Sequence, residues 1–203
     1  MNRRWNSKDF KIGVLGGGQL GRMLIQEAID LDVHLHMIDP DPNAPCALIA
    51  HSFTCGSITD YDTVIEFGKD KDLITVEIEN VNIEALEALE QNGVKIFPQP
   101  RVLRIIKDKG IQKQFYVDHN IPTAPFTLYD NANALEEANI SYPIIQKMRT
   151  GGYDGKGVQL LQQSSDSYDA PNLCESLIDF DKELSVIVAR NENGDVQCFP
   201  PVE

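Results

Sequence analysis

The chain has 203 residues, 42% of them hydrophobic, which supports one large or two small domains with a packed core and excludes wholesale disorder. Its formal net charge of −13 excludes general binding to nucleic acid or to an anionic membrane surface. No run approaches the roughly 18 apolar residues of a membrane span, so no membrane partner is expected.

The opening M-N-R-R-W-N-S-K lacks the apolar stretch of a signal peptide. Cys46, Cys55, Cys174 and Cys198 show no C-x-x-C spacing, as expected of reduced thiols in a cytoplasmic protein. From Lys11 to Gly16 the chain reads as a strand, and from Gln19 to Leu31 as a helix with Leu20, Leu24, Ala28 and Leu31 at helical spacing. A strand over Val33–Asp39 leads into the turn D-P-D-P-N-A-P. Tyr61–Phe67 is a predicted helix, Leu73–Glu77 a strand, Ile83–Leu89 a helix and Val94–Phe97 a strand. Four strands separated by helices predict an α/β fold with a doubly wound, Rossmann-like parallel sheet. His34 and His36 share one face of the second strand. Without a third ligand they are expected to be structural.

Pro98-Gln99-Pro100 predicts a boundary, giving domains over 1–98 and 99–203. Helices are predicted over Val102–Ile106 and Gly110–Val117, and then Pro122 and Pro125 bracket a linker. A strand-helix-strand set runs to Met148, with further strands at Val158–Leu161, Leu173–Leu177, Glu183–Arg190 and Val196–Phe199. The second half is therefore expected to be α+β.

Two glycine-rich loops carry the chemistry. Gly16-Gly17-Gly18-Gln19-Leu20-Gly21 fits G-x-G-x-x-G between a strand and a helix, with Asp39 closing the next strand. That is the dinucleotide fingerprint in its proper context, although a structural turn would read the same way. The second loop, R-T-G-G-Y-D-G-K-G at Arg149–Gly157, has four glycines in nine residues and lies between two predicted strands. It is not a Walker loop, which requires G-x-x-x-x-G-K-[ST]. A hairpin carrying backbone amides and Lys156 can close over phosphates as a lid and exclude water. Lys147, on the strand before it, would supply a fixed charge. Of the 18 Lys and Arg, 8 fall in two short stretches: Arg101, Arg104, Lys107, Lys109 and Lys113, then Lys147, Arg149 and Lys156. Such concentration in an acidic protein points to a small anion, and a solvated helix face is the plainer account of the first stretch alone.

Three motifs together, G-G-G-Q-L-G-R-M, T-V-E-I-E-N-V and K-M-R-T-G-G-Y-D-G-K-G, resemble the ATP-grasp family of 5-(carboxyamino)imidazole ribonucleotide synthetases. The resemblance runs from about Lys11 to the last residue. It implies an incomplete ATP-grasp domain after the first sheet, and an ATP-dependent ligase of de novo purine biosynthesis. In that reaction ATP and bicarbonate form carboxyphosphate, and the carboxyl group passes to 5-aminoimidazole ribonucleotide. By the same resemblance, ATP binding is implied for Lys109, Lys147, Gly152, Tyr153, Asp154, Gly155, Lys156, Gly157, Val158, Glu175, Ser176, Leu177, Ile178 and Glu183. The match at Lys109 is one of charge. Gly18, Gln19, Leu20 and Glu77 would hold the imidazole nucleotide, with Glu79 an alternative to Glu77. Tyr153, Asp154 and Lys156 would be catalytic, where that substrate meets carboxyphosphate. The resemblance also implies magnesium, with ligands expected beyond residue 203 and none in this chain, and a homodimer at full length. The chain is expected to be an inactive N-terminal part of a longer enzyme.

Three other functions fit parts of the pattern. A formate-dependent glycinamide ribonucleotide transformylase shares the architecture. A nicotinamide-binding oxidoreductase uses the first loop, and a non-catalytic nucleotide-binding module needs only the second half.

Overall fold

The structure, a computed structural model, describes residues 5, 7, 9–152 and 156–203. The chain divides into two compact units at Pro122–Thr123.

In the first unit the order is β1 (Ile12–Leu15), α1 (Gln19–Asp30), β2 (Leu35–Asp39), β3 (Ser52–Cys55), α2 (Tyr61–Gly68) and β4 (Leu73–Val76). Then follow α3 (Ile83–Gln91), β5 (Lys95–Ile96), α4 (Pro100–Lys107) and α5 (Lys109–Asp118). The five strands form one parallel sheet in the order β3-β2-β1-β4-β5. Strand alternation divides the core. Leu15 and Ile38 face α2, α3 and α4 with Phe67, Leu86, Leu89 and Leu103. Val14 and Met37 face the opposite way, against Ile25 and Ala28 of α1. Burying each such side chain contributes about 1.5–3 kcal/mol. Leu103 places α4 in this core, so the P-Q-P punctuation opens a helix with Pro100 in its first turn.

The fifth strand, β3, was not among the predicted elements. Its sequence S-F-T-C has one large apolar residue, and it lies at the sheet edge with three of its four residues exposed. It carries a third histidine into play. The His51 ring, just before β3, packs edge-on against His34 and His36 at centroid distances of 4.7 and 5.1 Å. Among the described residues no group of three His, Cys, Asp or Glu is arranged to hold a metal. His36 instead meets Ser52 Oγ through Nδ1 at 2.6 Å. Burial, with the positive charges of Lys71 and Lys11 and the His51 ring nearby, lowers its pKa to about 4 against an opposing effect of Asp70. The unfolded chain therefore binds a proton near pH 6.5 that the folded chain refuses until about pH 4. Stability from neutral His36 is complete above pH 6.5 and is lost as pH falls through that window. The melting temperature should drop more steeply between pH 6.5 and 4 in the wild type than in His36→Asn, and equal slopes would show that His36 contributes nothing.

The second unit contains β6 (Phe126–Tyr129), α6 (Ala132–Glu137), β7 (Ile144–Met148), β8 (Val158–Leu161), β9 (Asn172–Ser176), β10 (Val188–Arg190) and β11 (Val196–Cys198). An antiparallel sheet runs β6-β9-β7-β8, and β10 and β11 form a separate two-stranded sheet. One face of the larger sheet packs Ile144, Leu161 and Cys174 with Leu135 of α6. The strand expected over Glu183–Arg190 is shorter than its sequence implies. It pairs only from Val188, with an isolated bridge between Ser185 and Val202, and every residue of β10 and β11 is exposed. Apolar alternation gives strand propensity, but a regular ladder also needs a partner strand in register, and here one extends only over Val188–Arg190.

Candidate functional site

The order β3-β2-β1-β4-β5 reverses direction between β1 and β4. In open parallel sheets such a switch point opens a crevice at the carboxyl ends of the strands, where ligands bind. The loop after β1 is Gly16–Gly18, and the first residue after β4 is Glu77, whose backbone N–H donates to the Leu15 carbonyl at 2.8 Å. A Cβ on Gly16 or on Gly18 would lie 2.8 Å from a Glu77 carboxylate oxygen, so both positions must be glycine for that carboxylate to sit there. Gly16 also has φ +102°, which favours glycine independently. Glu79 lies two residues on in an exposed bend, away from this contact.

The helix that follows starts without a side-chain cap, unlike α2, α3, α5 and α6, whose N-caps are Asp60, Asn82, Asp108 and Asn131. Gly18 is its N-cap, and Gln19 and Leu20 are exposed in its first turn. Uncapped amides beside a carboxylate suit a ligand with both an anionic and a hydroxyl or amine group.

Asp39 behaves differently from the fingerprint expectation. Its Oδ2 accepts from the Gly17 N–H at 2.8 Å and its Oδ1 from the Asp41 N–H at 2.8 Å. Both carboxylate oxygens are thus occupied in holding the glycine loop and the turn after β2. Asp39 braces the first glycine loop, which agrees with the structural-turn account of that motif. Cys46 buttresses the same loop, donating its backbone N–H to the Gly17 carbonyl at 3.0 Å. Burial, with Glu77 and Asp39 nearby, raises its thiol pKa, so this cysteine is inert packing.

In the second unit, Lys147 and Glu175 project from the face of the sheet opposite to α6, as the β7–β9 register requires. Lys147 Nζ lies 2.9 Å from Glu175 Oε2, and the carboxylate side chain is only 9% exposed. Around the pair, Leu173 is buried and Leu128, Val158 and Leu160 are partly exposed. A charge set in an apolar platform is what a nucleotide needs, with a planar base on one part and phosphates on another. The pairing of Lys147 with Glu175 was not anticipated from the sequence. Period-two alternation along I-I-Q-K-M and N-L-C-E-S was the signal that could have revealed it.

The stems of the second glycine loop are β7 and β8, closed by a hydrogen bond from the Met148 N–H to the Gly157 carbonyl at 2.8 Å. Gly152 and Lys156 flank the loop's middle, while Tyr153, Asp154 and Gly155 lie outside the described residues. Ser176 ends β9, and Leu177 and Ile178 follow it half-exposed. Glu183 is exposed, outside any strand. Lys109 opens α5 in the first unit. Among the described residues no helix is long and apolar enough to cross a membrane.

Comparison with known proteins gives this arrangement a family. Residues 10–107 match the ribonucleotide synthetase preATP-grasp domain and residues 114–203 the ATP-grasp domain. The chain is 36% identical over 201 residues to an N5-carboxyaminoimidazole ribonucleotide synthase of Synechococcus elongatus, covering 95% of this chain and 51% of that protein. A solved carboxyaminoimidazole ribonucleotide synthase from Aspergillus clavatus, complexed with ATP, superposes with a TM-score of 0.88 at 33% identity, covering 98% of this chain and 54% of that one. A second structure of that fungal enzyme holds ADP and 5-aminoimidazole ribonucleotide, with a TM-score of 0.83 and 31% identity over 98% of this chain. The chain spans about half the length of these relatives. In this order its two domains belong to the ribonucleotide synthetase preATP-grasp and ATP-grasp families, and in both it is similar to N5-carboxyaminoimidazole ribonucleotide synthases.

Proposed function

We propose that the chain supplies the substrate crevice and part of the ATP site of an enzyme that carboxylates 5-aminoimidazole ribonucleotide with bicarbonate, at the expense of ATP. The observation that carries this is the pair of sites just described, seen beside relatives whose structures hold ATP, or ADP with 5-aminoimidazole ribonucleotide. Such an enzyme acts in the cytoplasm and, at full length, as a homodimer.

In the first unit Gly18, Gln19 and Leu20 receive the imidazole nucleotide, whose phosphate suits the uncapped amides of α1. Glu77, rather than Glu79, is the carboxylate for its polar groups. In the second unit Lys147 faces phosphate oxygens, and Lys109 of the first unit is assigned to ATP by charge. Gly152, Tyr153, Asp154, Gly155, Lys156 and Gly157 are assigned to the lid that excludes water, and Val158, on β8 opposite Lys147, to the apolar surface beneath it. Leu177 and Ile178, just past the end of β9, offer backbone groups to the adenine edge, with Glu175 and Ser176 leading into them on the strand, and Glu183 takes the ribose.

An oxygen of bicarbonate attacks the γ-phosphorus, the bond to the ADP oxygen breaks, and carboxyphosphate forms. The exocyclic amine then attacks the carboxyl carbon and phosphate departs, with Tyr153, Asp154 and Lys156 at that meeting point. The lysines neutralise charge on the phosphates, and the closed lid prevents hydrolysis of the mixed anhydride. Magnesium belongs to the chemistry of such ligases. Among the described residues no group of three or more His, Cys, Asp or Glu is arranged to hold it, and no step here is assigned to it.

The formate-dependent alternative shares the fold, and it is separated by requiring bicarbonate in the assay. For the nicotinamide alternative, melting temperature decides. ATP should raise it in a concentration-dependent way and NADH should not, since a ligand stabilises the state it binds. Stabilisation by NADH alone would overturn the proposal.

A further inference from the structure

One fully buried amide in the second unit is tied to several separate pieces of chain. Gln146 lies on β7 directly opposite Gln159 on β8. Gln146 Oε1 accepts from Gln159 Nε2 at 2.7 Å and from the Tyr168 backbone N–H at 3.1 Å. Gln146 Nε2 donates to Ser167 Oγ at 2.6 Å, and Gln159 Nε2 also donates to the Asp166 carbonyl at 2.9 Å. Their neighbours on this face include the apolar Ile144, Leu161, Leu135 and Cys174. A leucine would fill the space of Gln146 without any need for partners. A buried amide therefore adds position here, at the cost of core burial.

Position matters because β7 and β8 are the stems of the glycine-rich loop. Lys147 pairs with Val158 in the register next to the Gln146–Gln159 pair. A slip of one residue between β7 and β8 would turn the side chains of β8 to the other face, and Val158 would leave the apolar surface beside Lys147. Cross-strand glutamines that must sit opposite each other oppose such a slip, and their bonds to residues 166–168 fix the stems to the neighbouring turn.

We infer that Gln146 and Gln159 form a polar clamp that holds Lys147 and the loop stems in register for the nucleotide phosphates. Gln146 is thus a positioning residue, on the face opposite to Lys147, and contacts no ligand itself. The inference rests on the nucleotide-binding function proposed above.

The test is nuclear magnetic resonance of the 203-residue chain and its Gln146→Leu and Gln159→Leu variants, titrated with ADP and followed for exchange of the Met148 amide. Each variant should bind ADP more weakly, by up to about tenfold, and exchange that amide faster. Lys147→Met should weaken ADP without accelerating the exchange. Folded clamp variants with wild-type affinity and wild-type exchange would overturn the inference. If Gln146→Leu fails to fold, Gln159→Leu decides, because that side chain is only partly buried. If the wild type ignores ADP, the nucleotide function fails, and unchanged Met148 exchange in the variants would then sink the clamp as well.

Discussion

Lys147→Met should weaken adenine nucleotide binding by about ten- to a hundredfold and abolish ATP-dependent turnover in the full-length enzyme. That range corresponds to a hydrogen bond to a charged group, worth about 1.5–3 kcal/mol. The same substitution also disturbs the resting chain, because Lys147 is paired with the nearly buried Glu175 carboxylate. Removing one partner of a fully buried ion pair costs about 3–5 kcal/mol. Here the cost should be smaller, since the Lys147 side chain is 29% exposed. Loss of binding could therefore be mistaken for loss of fold. The double variant Lys147→Met, Glu175→Gln separates the two. It should recover much of the melting temperature lost by the single variant, since the amide carries no charge, while nucleotide binding stays weak. Calorimetric titration with ADP beside thermal melts of all four forms checks this. A single variant with wild-type nucleotide affinity would remove Lys147 from the phosphate site.

The elements that position these sites were unequally visible in the sequence. The strand, glycine turn and helix at Ile12–Asp30 were legible because three signals agree there: an apolar run, a G-x-G-x-x-G spacing and helical periodicity. Lys147 and the glycine-rich loop were legible for similar reasons. Edge strand β3 was not, because a strand exposed on most of its residues needs little apolar patterning. The partner of Asp39 was hidden for a different reason. Its position at the end of β2 is what a ribose-binding acid has, and only three-dimensional contact shows both oxygens taken by backbone N–H groups. Glu77 and Glu79 stand two apart in T-V-E-I-E-N, so alternation alone puts them on one face. The end of β4 at Val76 breaks that alternation and leaves only Glu77 against Gly16 and Gly18. Gln146 was unreadable as a clamp, since its meaning lies in register with Gln159, 13 residues on.

The 203-residue chain by itself should release no ADP in response to bicarbonate and 5-aminoimidazole ribonucleotide. Transfer of the γ-phosphoryl group develops charge on phosphate oxygens that a bridging metal normally neutralises. Lysines alone do not replace that bridging metal. The chain also spans only about half of its relatives. Its β10–β11 pair is an exposed two-stranded sheet. Ile187, Val188 and Phe199 are 64%, 55% and 59% exposed, although a two-stranded sheet without a packed face is marginal in water. Such a sheet should seek other strands, so the chain should self-associate as its concentration rises. Sedimentation across a concentration series reads the association, and a coupled ADP-release assay beside a full-length relative reads the chemistry. Monomer at every concentration would remove the exposed sheet from the argument. Specific activity comparable to that of the relative would show that the phosphoryl-transfer machinery is complete within these 203 residues.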